Sequence, residues 1–485
     1  MRNGRTYLAG LRDGRRVFVD GEAVGDVAEH AAFRGITRTV ASLYDYAADP
    51  AHGMIARPAE GGRPYNKVFM IPRSREDLQA RREALAAWAR LTNGLVGRGP
   101  EHVGGFLAGF AGAPEVFAQA DPRFGDHVTR FYRKVAEEDL FVTYVIIPPQ
   151  VDRSRTAQAW DEKFVQAGVV AERDGGIVVR GAQMLGTGAA VSDYLFVSCI
   201  TPLKPGDEPY ANSFVVPIGA KGLKLYCRPP YAPGKSSVYD YPLSTRFDES
   251  DAFAVFDDVF VPWEQVFVYR DVERVRSQFF ETAAHVLGNT QAQIRLAAKL
   301  KFILGLARKI AAATQVDVFP GVQEKLGELS SLAAIVEGMV LAAEASATLD
   351  KNGVARPHPR YLYGAMGLQS ELYPRALQIL RELAGGGVVQ VPSSYKDFLN
   401  PESRDDLRKF VRAAGLPAEE RVKLFKLAWD VVGTEFGGRH QQYEMFYAGA
   451  PHVAKGYAFR HYGMEEATRL VDDFLGTYSL ETEKP

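Results

Sequence analysis

Apolar positions recur at helical spacing in the first part of the chain, alternate in the middle, and return to helical spacing towards the end. Residues 74–94, SREDLQARREALAAWARLTNG, predict a helix with both ends marked. Ser74 and Asp77 form a capping-box pattern, Leu78, Leu85 and Trp88 recur near helical spacing, and Gly94 closes it. From about residue 141 the texture changes to strands. Residues 168–185, GVVAERDGGIVVRGAQML, are two β-branched runs around Asp174-Gly175-Gly176 and predict a hairpin. YLFVSCI, NSFVVPI, LKLYCR and DAFAVFDDVFVP continue as strands. After Trp263 long apolar-striped helices follow, in QAQIRLAAKLKFILGLARKIAAAT, VQEKLGELSSLAAIVEGMVLAAEASATL and AEERVKLFKLAWDVVGTEF. Such helices with short breaks suggest a bundle, and stripes of this kind often continue across a subunit interface. The pattern predicts an α+β chain: a helical domain over residues 1–140, an antiparallel β domain over 141–270, and a helical bundle with tail over 271–485.

Composition adds exclusions. The 485 residues are 46% hydrophobic and 24% charged, ordinary for a globular protein with a large core. A net charge of −1 gives no field to recruit nucleic acid or an anionic membrane. The N-terminus lacks the apolar run of a signal peptide, and no uncharged run approaches the roughly 18 residues that span a bilayer. With only Cys199 and Cys227, buried thiols in a reducing cytoplasm are expected rather than a disulfide. Two cysteines cannot build an iron–sulfur or zinc site alone, and the nine histidines do not cluster at metal-ligand spacing.

The P-loop, zincin and nucleophile-elbow signatures are absent. GTGAAV, 186–191, lies between strands and opens no helix, so it is a weak dinucleotide fingerprint. Four stretches stay unexplained by packing. GLVGRGPEH, 94–102, sets Arg98 and His102 after a helix end, as a solvated exit or as a pocket lining. TYVIIPPQVDRS, 143–154, breaks a strand at Pro148-Pro149, as a domain boundary or a ligand-facing turn. Thr187 between two glycines is a plain turn or a close approach to a flat ligand. EFGGRHQQYEMFYAGAPH, 435–452, reads as a helix broken at a double glycine, with Arg439 solvated at a cap or used.

These stretches also carry a resemblance. GLVGRGPEH, YPLSTRFDESDAFAVFDDVFVPWEQVFVYRD, GVQEKLGE and LFKLAWDVVGTEFGGRHQQYE, with the N-terminal YLAGLRDGRRVFVDGEAVGDVAEHAAFRGITRTVASLYD, are similar to the oxygenase component of the 4-hydroxyphenylacetate 3-monooxygenase family. The similarity runs in the same order over nearly the whole chain. It implies an acyl-CoA dehydrogenase-like fold: N-terminal helical domain, central antiparallel β-barrel, and C-terminal four-helix bundle that mediates tetramer formation. It further implies a two-component enzyme in which a separate NAD(P)H:flavin reductase supplies reduced FAD. O₂ then forms a C4a-hydroperoxyflavin that hydroxylates a phenol ortho to its hydroxyl. The flavin carries the oxygen chemistry; the protein supplies placement, electrostatics and exclusion of water.

By the same resemblance Arg98 matches an arginine that contacts the phenol. Two positions depart: His102 stands where the family has tyrosine, and Tyr144 where it has histidine. An imidazole of reference pKa about 6.5 can accept a phenol proton near neutrality, whereas tyrosine near 10 cannot. His102 is therefore expected as base or acceptor and Tyr144 as an orienting partner. Gln150, Val151, Asp152, Arg153 and Thr187 match flavin-binding positions, and Gly449, Ala450, Pro451 and His452 correspond to a turn that meets flavin. Thr201 lies near the position that binds the substrate tail, and Ile200 replaces a serine there. A non-standard para-substituted phenol, free or carrier-tethered, is favoured over 4-hydroxyphenylacetate itself. Chlorophenol hydroxylation is an alternative within the family. Acyl-CoA dehydrogenation lacks its base, since Ala448 stands where a glutamate is needed, and 4-hydroxybutyryl-CoA dehydration lacks cysteine ligands. A silent oligomeric scaffold is the non-enzyme rival.

Overall fold

The computed structural model describes residues 1–57, 62–232, 237–447 and 449–480. Its first part holds α1 (Gly4–Gly10), α2 (Arg34–Ala48), α3 (Arg75–Leu91), α4 (Pro100–Ala111), α5 (Glu115–Ala118) and α6 (Pro122–Glu138). Four short strands are interleaved with them: β1 (Arg16–Val19), β2 (Glu22–Ala23), β3 (Ile55–Ala56) and β4 (Tyr65–Asn66). The Ser74 side chain caps α3 by accepting from Asp77 N at 3.1 Å. Every residue of α4 is buried. Small side chains permit this: a Cβ on Gly109 would stand 2.2 Å from Ala284 N, so α4 lies directly against the helix that begins there.

The middle part contains β5 (Val142–Val145), β6 (Gly168–Arg173), β7 (Gly176–Gln183), β8 (Tyr194–Val197), β9 (Ser213–Pro217), β10 (Leu223–Cys227), α7 (Ser244–Phe247), β11 (Ala252–Pro262) and β12 (Val266–Val268). The hairpin over 168–185 forms as β6 and β7, antiparallel, with a register shift between Val169 and Ala171. The strands make two sheets, ordered β2-β1-β10-β11-β7-β6 and β12-β9-β8-β5. This corrects the expected antiparallel barrel: no closed barrel forms among the described residues, and two pairs, β1–β10 and β5–β8, are parallel. Both β1 and β5 arrive from the helical part rather than through a hairpin, and long connections are what parallel pairing requires. Cys199 is a buried free thiol and Cys227 a half-buried one.

The last part contains α8 (Arg274–Glu281), α9 (Ala284–Ala313), α10 (Pro320–Ala345), α11 (Pro359–Ala384), α12 (Pro401–Phe410), α13 (Ala418–Val432), α14 (Glu435–Phe446), α15 (Pro451–His461) and α16 (Met464–Leu475). Helices α9, α10, α11 and α13 form the bundle, and α9 also packs on α3 and α4. Two readings need correction. The segment taken as one helix over 418–436 is two, divided at Gly433, with Thr434 capping α14. That helix in turn runs unbroken through Gly437-Gly438. The propensity cost, about 1 kcal/mol per glycine, is offset by the Thr434 cap and by the buried ion pairs of Arg439 and Glu444. Helix α10 is long and apolar enough to cross a membrane by length and composition; of its 26 residues only Leu329, Val336, Val340 and Ala343 are buried.

Candidate active site

The loop after α3 is held to α9 by a polar stripe. Gln291, Arg295 and Lys299 stand four residues apart on one face of α9, all buried. Arg295 Nη1 donates to Gly94 O at 2.7 Å, and Gln291 Nε2 reaches Gly97 O at 3.4 Å. From the other side Glu249 Oε1 accepts from Gly97 N at 2.8 Å and Arg98 N at 2.6 Å. Glu249 is itself paired with Arg439 Nη1 at 3.0 Å. Arg439 also meets Asp251 at 2.8 Å, so it is a buried strut and not a solvated cap. The backbone of Arg98 is thus gripped before its side chain does anything.

The Arg98 guanidinium lies 4.0 Å from the ring centre of Tyr447, 4.8 Å from that of Tyr144 and 5.7 Å from that of Tyr443. Its Nη1 hydrogen-bonds His102 Nε2. Burial alone would lower the Arg98 pKa, but Tyr144, Tyr443, Tyr447 and Glu249 outweigh it, and the cation is secure. His102 sits in the first turn of α4, 2% exposed, with the rings of Tyr144 and Phe106 each 5.3 Å away. Burial, then the adjacent Arg98 charge, push its imidazole well below the usual range. At neutral pH His102 is therefore uncharged and a weaker base than its reference pKa suggested, while its lone pair remains an acceptor. Its Nδ1 faces Gln291 Oε1 at 3.2 Å and Tyr447 Oη at 3.1 Å. Tyr144 engages Arg98 through its ring face, and its hydroxyl makes no hydrogen bond to a described residue. A groove of about 800 Å³ lined by Tyr239, Leu243, Phe302 and Leu424 lies elsewhere, and Arg98, His102 and Tyr144 do not line it.

The other anticipated residues fall around this centre at different depths. Thr187 is buried; its hydroxyl donates to Asp251 Oδ1 at 2.6 Å and its carbonyl accepts from Thr143 Oγ1 at 2.7 Å, next to Tyr144. Backbone bonds from Met184 N to Ile147 O and from Ile200 N to Ile146 O set Leu185 and Ile200 on either side of the strand leading from Tyr144. Gln150, Val151 and Arg153 are exposed, and Asp152 is tied to Ser154 and Arg155 within its own loop. Thr201 is exposed. Gly449, at φ 99°, Ala450, Pro451 and His452 follow Tyr447 into α15, while Ala448 lies outside the described residues.

These surroundings fit a flavin nucleotide. Val151, Leu185 and Ile200 are 62%, 60% and 40% exposed, apolar surface suited to a flat ring. Leu185 at φ 61° and Gly188 at φ 75° bend the intervening loop so that a Cβ on Gly188 would stand 3.5 Å from Arg98 O. Arg153 is exposed and makes no ion pair to a described residue, so its guanidinium is free to meet a phosphate.

The sequence reading missed Gln291, Tyr447, Glu249 and Glu101. One signal was available: Gln291, Arg295 and Lys299 recur every fourth residue on one face of α9, as do His440 and Glu444 on α14.

The order of helical part, paired sheets and helical bundle is an acyl-CoA dehydrogenase-like fold, the scaffold of a class of flavoenzymes. Family comparison narrows this. The 4-hydroxyphenylacetate 3-hydroxylase N-terminal family matches residues 3–268 and its C-terminal counterpart residues 275–476. The chain belongs to this family. It is 34% identical to the 4-hydroxyphenylacetate 3-monooxygenase oxygenase component of Pseudomonas aeruginosa, over 98% of this chain and 92% of that one. It is 38% identical to the (3S)-3-amino-3-(3-chloro-4-hydroxyphenyl)propanoyl-[peptidyl-carrier protein SgcC2] monooxygenase of Streptomyces globisporus, over 92% and 84%. A crystal structure of a 4-hydroxyphenylacetate 3-monooxygenase oxygenase component with FAD and 4-hydroxyphenylacetate superposes with a TM-score of 0.94 at 33% identity, covering 100% of both chains.

Proposed function

We propose that this chain is the oxygenase component of a two-component phenol hydroxylase. It takes reduced FAD from a separate flavin reductase and converts a para-substituted phenol, O₂ and FADH₂ to the catechol, water and FAD. The observation that carries this is the enclosed pairing of Arg98 with a neutral His102 among three tyrosines. Bound reduced FAD would supply activation of O₂ and the transferable oxygen atom. Leu185, Thr187, the loop Gln150–Arg153 and the turn Gly449–His452 are the residues that would hold it.

The chain's own residues prepare the phenol. Arg98 donates to the phenol oxygen and favours phenolate character, which raises electron density at the ortho carbon. His102 Nε2 accepts the hydroxyl proton's hydrogen bond, and the free Tyr144 hydroxyl orients the ring. Phe106 and the tyrosines keep water away, so that reduced flavin is not wasted as peroxide. The para substituent extends towards Ile200 and Thr201, an exposed rim, which suits a substrate larger than a small carboxylate, including one tethered to a carrier.

The same reading takes the chain as a homotetramer, supported by the uncovered apolar face of α10. The free thiols agree with a cytoplasmic setting. The deciding experiment mixes His102→Ala and Arg98→Lys variants with reduced FAD, O₂ and a panel of para-substituted phenols. Catechol per flavin oxidised should fall about 100-fold and hydrogen peroxide should rise to match, with FAD affinity retained. Coupling equal to the parent in both variants overturns the assignment, as does a parent protein that hydroxylates no phenol.

A further inference from the structure

We propose that Gln291 sets the tautomer of His102 and so decides which ring nitrogen meets the phenol, a role that rests on the reading of Arg98 and His102 given above. The argument is one of donors and acceptors. Gln291 Nε2 lies 2.9 Å from Glu101 Oε1 and 3.4 Å from Gly97 O. Glu101 Oε1 accepts, any carboxyl proton being left to the unpartnered Oε2, and a backbone carbonyl only accepts, so the amide nitrogen belongs on that side. The amide oxygen is then turned to His102 Nδ1 at 3.2 Å and Tyr447 Oη at 2.8 Å. Because it too can only accept, His102 Nδ1 carries the ring proton and Nε2 carries the lone pair.

In the structure Arg98 occupies that lone pair and enforces the same tautomer. Once a phenol takes the place of this contact, Gln291 alone keeps it. Tyr447 is the competitor. Its single hydroxyl proton can go to Gly97 O at 2.8 Å, to Gln291 Oε1, or to His102 Nδ1 at 3.1 Å. The last choice would move the ring proton to Nε2. His102 would then present a donor to the phenol oxygen, in competition with Arg98, and no acceptor for its proton. Gln291 is therefore a positioning residue, held in turn by Glu101; the two are 2% and 6% exposed, so water cannot substitute for either.

The test combines spectroscopy with a double-mutant cycle. In ¹⁵N-histidine-labelled protein, the ring signals lost in His102→Ala identify His102. With a para-substituted phenol bound in place of the Arg98 contact, the parent should show a protonated Nδ1 and an unprotonated Nε2, and Gln291→Leu should exchange or mix the two. Coupled hydroxylation should fall about tenfold or more in Gln291→Leu, and adding Gln291→Leu to His102→Ala should cost nothing further. A parent His102 protonated at Nε2 overturns the proposal even if no Gln291 variant folds. So does Gln291→Leu with parental coupling while His102→Ala has lost it, an outcome that leaves the hydroxylase reading intact. Parental coupling in His102→Ala overturns this proposal, and the hydroxylase reading falls with it when Arg98→Lys also keeps parental coupling.

Discussion

Glu101 shows how one side chain can set a pH dependence. Burial pushes its carboxyl up to about 7 from an ordinary 4.5, only partly opposed by backbone and Gln291 hydrogen bonds, and its Oε2 has no partner. The folded state thus holds this proton more tightly than the unfolded chain does. Its contribution is fully present below about 4.5, declines as pH rises towards 7, and is level above that. The shift corresponds to about 3 kcal/mol. In urea titrations at fixed protein concentration, the stability of the parent should drop by that amount relative to Glu101→Gln between pH 4.5 and 7.5. Parallel pH curves for the two proteins would show that the carboxyl is not held this way. His102 illustrates what was legible at this scale. Its four-residue spacing from Arg98 is local, so their pairing could be anticipated; its pKa depends on what encloses it, so its basicity could not.

At the level of elements, α9 and α14 are joined by a cluster in which Glu444 accepts from Arg295 at 2.7 Å, Lys299 at 2.8 Å and Gln369 at 2.8 Å. Burial lowers Lys299 to about 8, with Glu444 holding it up against Arg295. Helix α14 carries Tyr443, and Tyr447 follows at its end, so this cluster fixes where the aromatic faces around Arg98 stand. Removing the carboxylate leaves two buried cations uncompensated. Glu444→Gln should cost about 3–5 kcal/mol by chemical denaturation, whereas replacing Arg295, Lys299 and Glu444 together by apolar residues should cost less. A single variant as stable as the parent would contradict this. The stripe went unread because polar residues at helical spacing look the same whether they face water or another helix.

For the whole molecule, the exposed apolar surface is concentrated in the last helices. Ile335 and Leu341 on α10 are 40% and 45% exposed, and Leu470, Val471 and Phe474 on α16 are 70%, 56% and 67% exposed. A surface of this kind is the mark of an association face. Replacing both Ile335 and Leu341 by glutamate should lower the mass seen by analytical ultracentrifugation below that of the parent. An unchanged mass, or a parent that sediments as a monomer, would remove α10 from the interface.

Helix, strand and helix succeed one another as the chain's periodicity requires, because that pattern is a property of neighbours within a few residues. The β6–β7 hairpin, the Ser74 cap and the Arg98–His102 spacing are of the same kind. Other features depend on residues far apart in the chain. Gln291 meets His102 across 189 positions and Tyr447 meets it across 345, while Glu249 grips Arg98 across 151. The parallel pairing of β1 with β10 is a similar case. No local period encodes such meetings: they exist only once α4 has packed on α9, and burial then turns an ordinary imidazole into a neutral acceptor with a chosen face.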